Sequence, residues 1–256
     1  MPFTAVIGDI HGCIRTLDRL INRIEARYSD VNYISLGDIV DRGFHSLEVT
    51  ELFMEMKKQG RFRMLLGNHE DMMLDYTGLS AVYAPNAWFG TGGKLTVSSF
   101  SRKELDNKLT LGTVTNWDFK PYLEPYQEFF DSAEMYFGYD YPRNKYMFSH
   151  AGLGPSNGKV GRVTEYSRRK DYLYIWTRDT EQSQKKHFGY TMVHGHTPVK
   201  KVDPQHNPRT PFVNRNKAGE LVSVNLDTGC VYGYALSAMV IDDAGDFEFV
   251  SERCMD

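Results

Sequence analysis

Val31-Asn32-Tyr33-Ile34-Ser35-Leu36 is a short, largely apolar run that stops at Gly37-Asp38-Ile39-Val40-Asp41-Arg42-Gly43, a polar cluster framed by glycines. A run of this length, bounded by a turn signal, reads as a buried strand. The same form recurs on both sides. Phe3 to Ile7 runs into Gly8-Asp9-Ile10-His11-Gly12, and Phe62 to Leu66 runs into Gly67-Asn68-His69-Glu70. Later, Tyr146 to Phe148 leads to Ser149-His150-Ala151-Gly152, and Tyr190 to Val193 leads to His194-Gly195-His196-Thr197. Apolar residues at helical spacing separate the first three runs: Ile14, Leu17, Leu20, Ile21 and Ile24, then Leu52, Phe53 and Met56. Strand–helix alternation predicts an α/β fold with a parallel sheet and crossover helices. In such sheets ligands bind just beyond the carboxyl ends of the strands. Each polar cluster sits at such an end.

The remainder is less regular. Residues 76–142 are rich in aromatics and weak in periodicity, and read as a mostly helical insert covering one side of the site. Glu134–Tyr139 and Lys145–Phe148 predict a β-hairpin, and Leu221–Leu226, Ala235–Ile241 and Phe247–Val250 read as further strands. Asp203 to Gly219, with three prolines, reads as an exposed loop or hairpin tip. The chain has 256 residues, and because the clusters run from residue 8 to residue 197 and must converge, one domain over 1–256 is expected.

Composition narrows the class of partner. A net charge of −3 gives no basic footprint for nucleic acid. No apolar stretch approaches the ~18 residues that a membrane span requires. Three cysteines, Cys13, Cys230 and Cys254, are odd in number and not spaced as zinc pairs, so neither a disulfide framework nor a thiolate zinc site is expected. A soluble protein of the reducing cytoplasm fits these features.

Asp9, His11, Asp38, Asn68, His150 and His196 offer oxygen and imidazole donors without a thiol. That mixture suits manganese, iron or zinc. Six ligands with one shared carboxylate suffice for two ions, which at roughly 3.5–4 Å apart can clamp a phosphoryl group and ready a water for attack. His69 could protonate the departing oxygen, with Asp41 holding its imidazole in the productive tautomer. Arg42 offers a planar fork suited to phosphate oxygens.

Together, Gly8 to Gly12, Gly37 to Gly43 and Gly67 to Glu70 resemble the three leading motifs of the phosphoprotein phosphatase family of metallophosphoesterases. Ser149 to Gly152 and Gly195-His196-Thr197 resemble its two later histidine motifs. Asn68 to Met73, Trp88 ahead of Gly92-Gly93, and Leu226-Asp227-Thr228-Gly229 with Cys230 and Val231 are similar to the compact bacterial and bacteriophage (lambda-type) serine/threonine phosphatase branch. The resemblance implies a calcineurin-like fold, a central β-sandwich flanked by helices. It implies that Asp9 and His11 bind one metal, that Asn68, His150 and His196 bind the other, and that Asp38 bridges. It further implies His69 and Asp41 as the acid pair, and Arg42, Asn68 and Arg178 (in Trp176-Thr177-Arg178) as phosphate-binding residues, with two divalent ions, manganese first.

Any one of these residues has an ordinary explanation: an Asp after a strand is commonly a turn residue or helix cap, and Asp41-Arg42 alone a surface ion pair. Five glycine-framed clusters at strand ends do not reduce to such accidents. His194 is expected to be a satisfied core histidine, and His45, His187 and His206 solvated. Gly90-Thr91-Gly92-Gly93-Lys94 fails the phosphate-loop spacing, and one copy of Asp227-Thr228-Gly229 cannot supply an aspartic-protease dyad.

The expected activity is hydrolysis of a phosphoric monoester on a phosphoprotein or phosphopeptide, serine/threonine and also tyrosine, by direct attack of water on phosphorus. A hydrolase of diadenosine tetraphosphate or another nucleotide end on the same core is the alternative. A silent phosphate-binding module is the rival from another class.

Overall fold

Along β1 (Phe3–Ile7), Val6 points to one side and Ala5 and Ile7 to the other, and both sides are buried. The computed structural model describes residues 2–77, 87–102, 119–152, 173–178 and 180–256. A strand buried on both faces needs cover on both, and the chain supplies it with a second sheet on one side and helices on the other.

β1 pairs in parallel with β2 (Val31–Ser35), and β2 with β3 (Phe62–Met64). α1 (Ile14–Glu25) and α2 (Ser46–Lys58) make the crossovers. Beyond β1, β9 (Ala235–Ile241) and β10 (Phe247–Arg253) add antiparallel, giving the order β10-β9-β1-β2-β3. The second sheet has the order β4-β5-β6-β8-β7, with β4 (Tyr136–Asp140), β5 (Lys145–Ser149), β6 (Thr191–His194), β7 (Phe212–Arg215) and β8 (Leu221–Asn225). Strands β5, β6 and β8 are mutually parallel. The fold is the calcineurin-like α/β sandwich that the motifs imply.

Register explains the inner core. Val6 lies level with Ile34 on β2 and Met239 on β9. Across the gap, Phe148, Val193 and Val224 form a matching row. All six belong to one buried cluster between the sheets. Truncating Phe148 to alanine there would cost about 3–5 kcal/mol. On the outer face of the first sheet, Ala5, Ile7 and Tyr33 pack with Leu17, Leu20 and Ile24, the stripe that the spacing along α1 predicts.

One expectation needs correcting and another is refined. Of residues 203–219, expected as a loop or hairpin tip, 212–215 form β7, which pairs antiparallel with β8 at the sheet edge. Following Pro211, carrying Asn and Arg, and shifted in register between Asn214 and Arg215, it lacks the apolar run that marks a strand. His187 is buried rather than solvated. The hairpin is β4–β5 as expected. Within the insert, α4 (Lys94–Ser101), α5 (Lys120–Leu123) and α6 (Gln127–Asp131) are helical, while 78–86 and 103–118 lie outside the described residues. No helix among the described residues is long and apolar enough to cross a membrane.

Candidate metal centre

Among the described residues, six strands paired in parallel, three from each sheet, point their carboxyl ends at one region. Asp9 and His11 follow β1, Asp38 follows β2, and Asn68 and His69 open α3 (Asn68–Tyr76) after β3. His150 follows β5, His196 follows β6, and Asp227 follows β8. The convergence predicted from strand ends is thus a property of both sheets, with the sandwich seam bringing their candidate ligands face to face.

Tight backbone makes the approach possible. His11, Asp38, Asp41, Arg42 and His196 all have positive φ, between 48° and 70°. Such residues cost of order 1–3 kcal/mol each and persist only where the surroundings over-determine them. Here the surroundings include Glu70. Its buried carboxylate accepts the backbone N–H groups of Asp38 (2.8 Å), Ile39 (2.8 Å), Val40 (3.1 Å) and Gly67 (3.0 Å). Gly67 is required because a Cβ there would lie 2.2 Å from Oδ1 of Asp38.

Asp38 is the centre of the constellation. Its Oδ2 lies 3.6 Å from Nε2 of His11 and 3.9 Å from Nε2 of His69, and its Oδ1 lies 3.4 Å from Nε2 of His150. Two buried triads able to hold a cation share it: His11–Asp38–His69 and Asp38–His150–His196. Burial opposes its ionisation, but the His150, His69 and His11 imidazoles hold its carboxyl well below the usual range.

The imidazoles are fixed with lone pairs inward. Nδ1 of His11 donates to the Val40 carbonyl (2.8 Å) and Nδ1 of His150 to the Leu36 carbonyl (2.9 Å). Each Nε2 therefore presents to the site, as histidine ligands do when their other nitrogen is held by a carbonyl. Oδ1 of Asn68 then lies 3.0 Å from Nε2 of His150 and 2.9 Å from Nδ1 of His196. Two acceptors at 3.0 Å repel unless positive charge stands between them. Either His150 carries a second proton, and the Asp38 charge outweighs burial in pushing it up to about 9, or a cation sits there. The donor set fits two divalent ions.

Asp9 stands beside the triads. Both its oxygens accept the His196 N–H at 3.1 Å. Burial, and then the nearby Asp227 carboxylate, hold its carboxyl well above the usual range. Asp227 is itself pushed up to about 6 by burial.

His69 belongs to a different set of contacts. Its Nδ1 lies 2.6 Å from Oδ2 of Asp41, both residues being buried. Trp88 Nε1 donates to both Asp41 oxygens (3.0 and 2.9 Å), and the Thr96 hydroxyl donates to Oδ1 (2.5 Å). The Arg42 guanidinium donates to Nε2 of His11 (2.5 Å) and Nε2 of His69 (2.7 Å). Burial, and then Arg42, hold His11 well below its ordinary pKa, so it is neutral and able to ligate. Arg178 is exposed but close enough for its charge to help depress His196, after burial and His150. His194 is buried, its Nε2 3.8 Å from Glu181 and without a hydrogen-bond partner among the described residues.

Reasoning from sequence left four contributors without a role. Glu70 carried a signal, since an acidic residue three positions after a helix N-cap often reaches back to backbone N–H groups. Trp88 and Asp227 carried only their place in stretches that resemble the lambda-type branch, and Thr96 carried no signal.

A family model described as calcineurin-like phosphoesterase matches residues 4–218. Among curated proteins, bis(5'-nucleosyl)-tetraphosphatase PrpE of Halalkalibacterium halodurans is 26% identical over 96% of this chain and 92% of its own. Serine/threonine-protein phosphatase PP1-1 of Saccharomyces cerevisiae is 41% identical over 71 residues, 27% of this chain and 23% of its own. Among solved structures, a protein serine/threonine phosphatase from Saccharomyces cerevisiae superposes with a TM-score of 0.58 at 14% identity, covering 100% of this chain and 81% of that one. The chain belongs to the calcineurin-like phosphoesterase family and is a metal-dependent hydrolase.

Proposed function

We propose that this enzyme hydrolyses the phosphate chain of a nucleotide end, with a bis(5'-nucleosyl) tetraphosphate as its substrate class. The observation that carries the reading is the extent of likeness. The chain aligns with the PrpE tetraphosphatase along nearly its full length, loops and insert included, whereas its likeness to PP1-1 covers 71 residues. This ordering reverses that drawn from the motifs alone, which favour a phosphoprotein.

Asp9, His11, Asp38, Asn68, His150 and His196 are the proposed ligands of two divalent cations. When bound, such ions neutralise phosphoryl charge and lower the pKa of a water to near neutrality. The chain's own groups do the rest. Arg42, placed between His11 and His69, presents its fork to phosphate oxygens, with Arg178 approaching from the side of His196. Asn68 shares in binding the phosphoryl oxygens. His69, oriented by Asp41, delivers a proton to the leaving oxygen.

A specific observation also supports the phosphoprotein reading. The buried His69–Asp41 pair at 2.6 Å suits a poor leaving group, such as a serine or threonine alkoxide, that requires protonation. Assay of diadenosine tetraphosphate beside phosphoseryl, phosphothreonyl and phosphotyrosyl peptides separates the two. We expect the dinucleotide to give the highest kcat/KM, and a phosphopeptide preferred by tenfold or more would sink the nucleotide reading.

A further inference from the structure

The three cysteines of the chain are separated by more than two hundred residues from first to last, and folding gathers them. The sulfurs of Cys13, Cys230 and Cys254 all lie within 4.8 Å of one another. Cys13 is the residue before α1, Cys230 opens the turn Cys230–Tyr232, and Cys254 follows β10. Cys13 and Cys230 are buried, and Cys254 is partly open to solvent.

We propose that Cys13, Cys230 and Cys254 form a binding site for one thiophilic d10 cation, zinc(II) or copper(I), separate from the histidine–carboxylate centre. Metal–sulfur bonds of about 2.3 Å place three sulfurs around one ion roughly 3.7–4.0 Å apart, inside the observed envelope. Thiolate sulfur selects these ions over manganese or magnesium. A disulfide would use two of the sulfurs, drawn to about 2.05 Å, and leave the third idle. Reactivity argues the same way. The Cys13 thiol hydrogen bond and burial hold the Cys230 thiol well above its ordinary pKa, and burial raises Cys254. Protonated thiols are poor nucleophiles toward an oxidant. A bound cation displaces those protons itself: a divalent ion and three thiols give a tris-thiolate of charge −1 and three protons released to solvent. The Thr16 hydroxyl contacts Cys230 and donates to the Asp256 carboxylate at 2.7 Å, which puts oxygen donors beside the sulfurs for the fourth position that zinc takes.

The ion would tie three segments together. One is the loop carrying His11. The second is the turn carrying Tyr232, whose ring lies 5.8 Å from the Arg42 guanidinium. The third is the stretch 254–256, where Asp256 accepts the Arg15 and Thr16 N–H groups at the start of α1.

The test is titration of the full chain with Cd2+, under a phosphine reductant and saturating Mn2+, following ultraviolet thiolate-to-cadmium absorption. Since the chain has three cysteines, any such band reports on this cluster. We expect the band to saturate at a single equivalent. In Cys254→Ser it should weaken by about a third, with affinity at least tenfold lower and aryl-phosphatase activity retained as the check of folding. The chain is first stripped of metal with chelators, and native mass spectrometry should then find a single cadmium bound to it. Absence of the band, saturation at a different stoichiometry, or an unchanged titration in Cys254→Ser would each overturn the site.

Discussion

Glu70 reaches back thirty-two residues to accept the Asp38 backbone N–H at 2.8 Å, and its other oxygen takes the N–H groups of Ile39 and Val40. One carboxylate thus holds in place the strained turn on which Asp38, Asp41 and Arg42 are mounted. Burial, and then the Asp38 charge, push it up to about 7, which is the cost of placing a second carboxyl behind the first.

Glu70→Gln should therefore act on geometry. The amide keeps one acceptor and turns an NH2 toward backbone donors that have no other partner among the described residues. We expect metal affinity or kcat to fall about 10–100-fold, with a stability loss of about 1–3 kcal/mol. Isothermal titration with Mn2+ and a denaturant melt check it. Unchanged metal affinity would show that the turn holds itself.

How far this was legible without a structure depends on the kind of residue. The strands β1, β2 and β9 and the helices α1 and α2 were readable because their apolar periodicity is undiluted. β7 was not, since its pairing with β8 rather than its own pattern makes it a strand. The candidate ligands were readable because each needs a glycine-framed turn next to it. The contacts of Trp88 and Thr96 with Asp41 were invisible: each reaches it from about fifty residues away, and nothing local distinguishes a tryptophan donating to a carboxylate from one filling core. The cysteine cluster was hidden for the same reason, its members being distant in sequence.

His69→Asn removes the proposed proton donor. General acids contribute roughly 10²–10⁴-fold, and the loss should grow with the basicity of the leaving oxygen. It should be large for an alkyl phosphate and smaller for an aryl phosphate or a nucleotide anhydride. Metal content should stay near normal. Equal losses across a leaving-group series, or loss of bound metal, would assign His69 to ligation instead, a role that its 3.9 Å distance to Asp38 leaves open.

Trp88→Phe should reproduce that pattern in smaller size. Trp88 Nε1 divides its hydrogen between both Asp41 oxygens, and without it the carboxylate can rotate away from His69. A hydrogen bond to a charged group contributes about 1.5–3 kcal/mol. Turnover of alkyl phosphates should drop more than that of aryl phosphates. A uniform fall in kcat/KM for every substrate would mean that Trp88 merely packs.

Gly195→Ala tests the seam between the sheets. A Cβ at 195 would lie 2.0 Å from Oδ1 of Asp9, so the carboxylate must move away from the His196 N–H it accepts. The expected result is weaker binding of one metal equivalent with the other retained, read by metal analysis after dialysis. Loss of neither, or of both together, would show that Asp9 is not a ligand of one ion alone.

Removing the metals should leave a signature in stability as well as in activity. With no cation between Asn68, His150 and His196, positive charge must come from a second proton on His150, whose pKa is raised from 6.5 to about 9 chiefly by Asp38 against the opposing effect of burial. A histidine with a raised folded-state pKa gives stability that is fully present below 6.5 and lost as pH rises through 9. Over that window the metal-free protein should lose of the order of 2–3 kcal/mol. Glu70, pushed up to about 7, adds to the loss in the same direction near the lower end of the window. A manganese-loaded sample should show a flatter profile, because the cation replaces the proton. Urea melts at pH 6.5 and pH 9, in strong chelator and in Mn2+, make the comparison, and activity abolished by the chelator should return with the metal. Parallel pH profiles with and without metal would show that no cation sits among these three side chains.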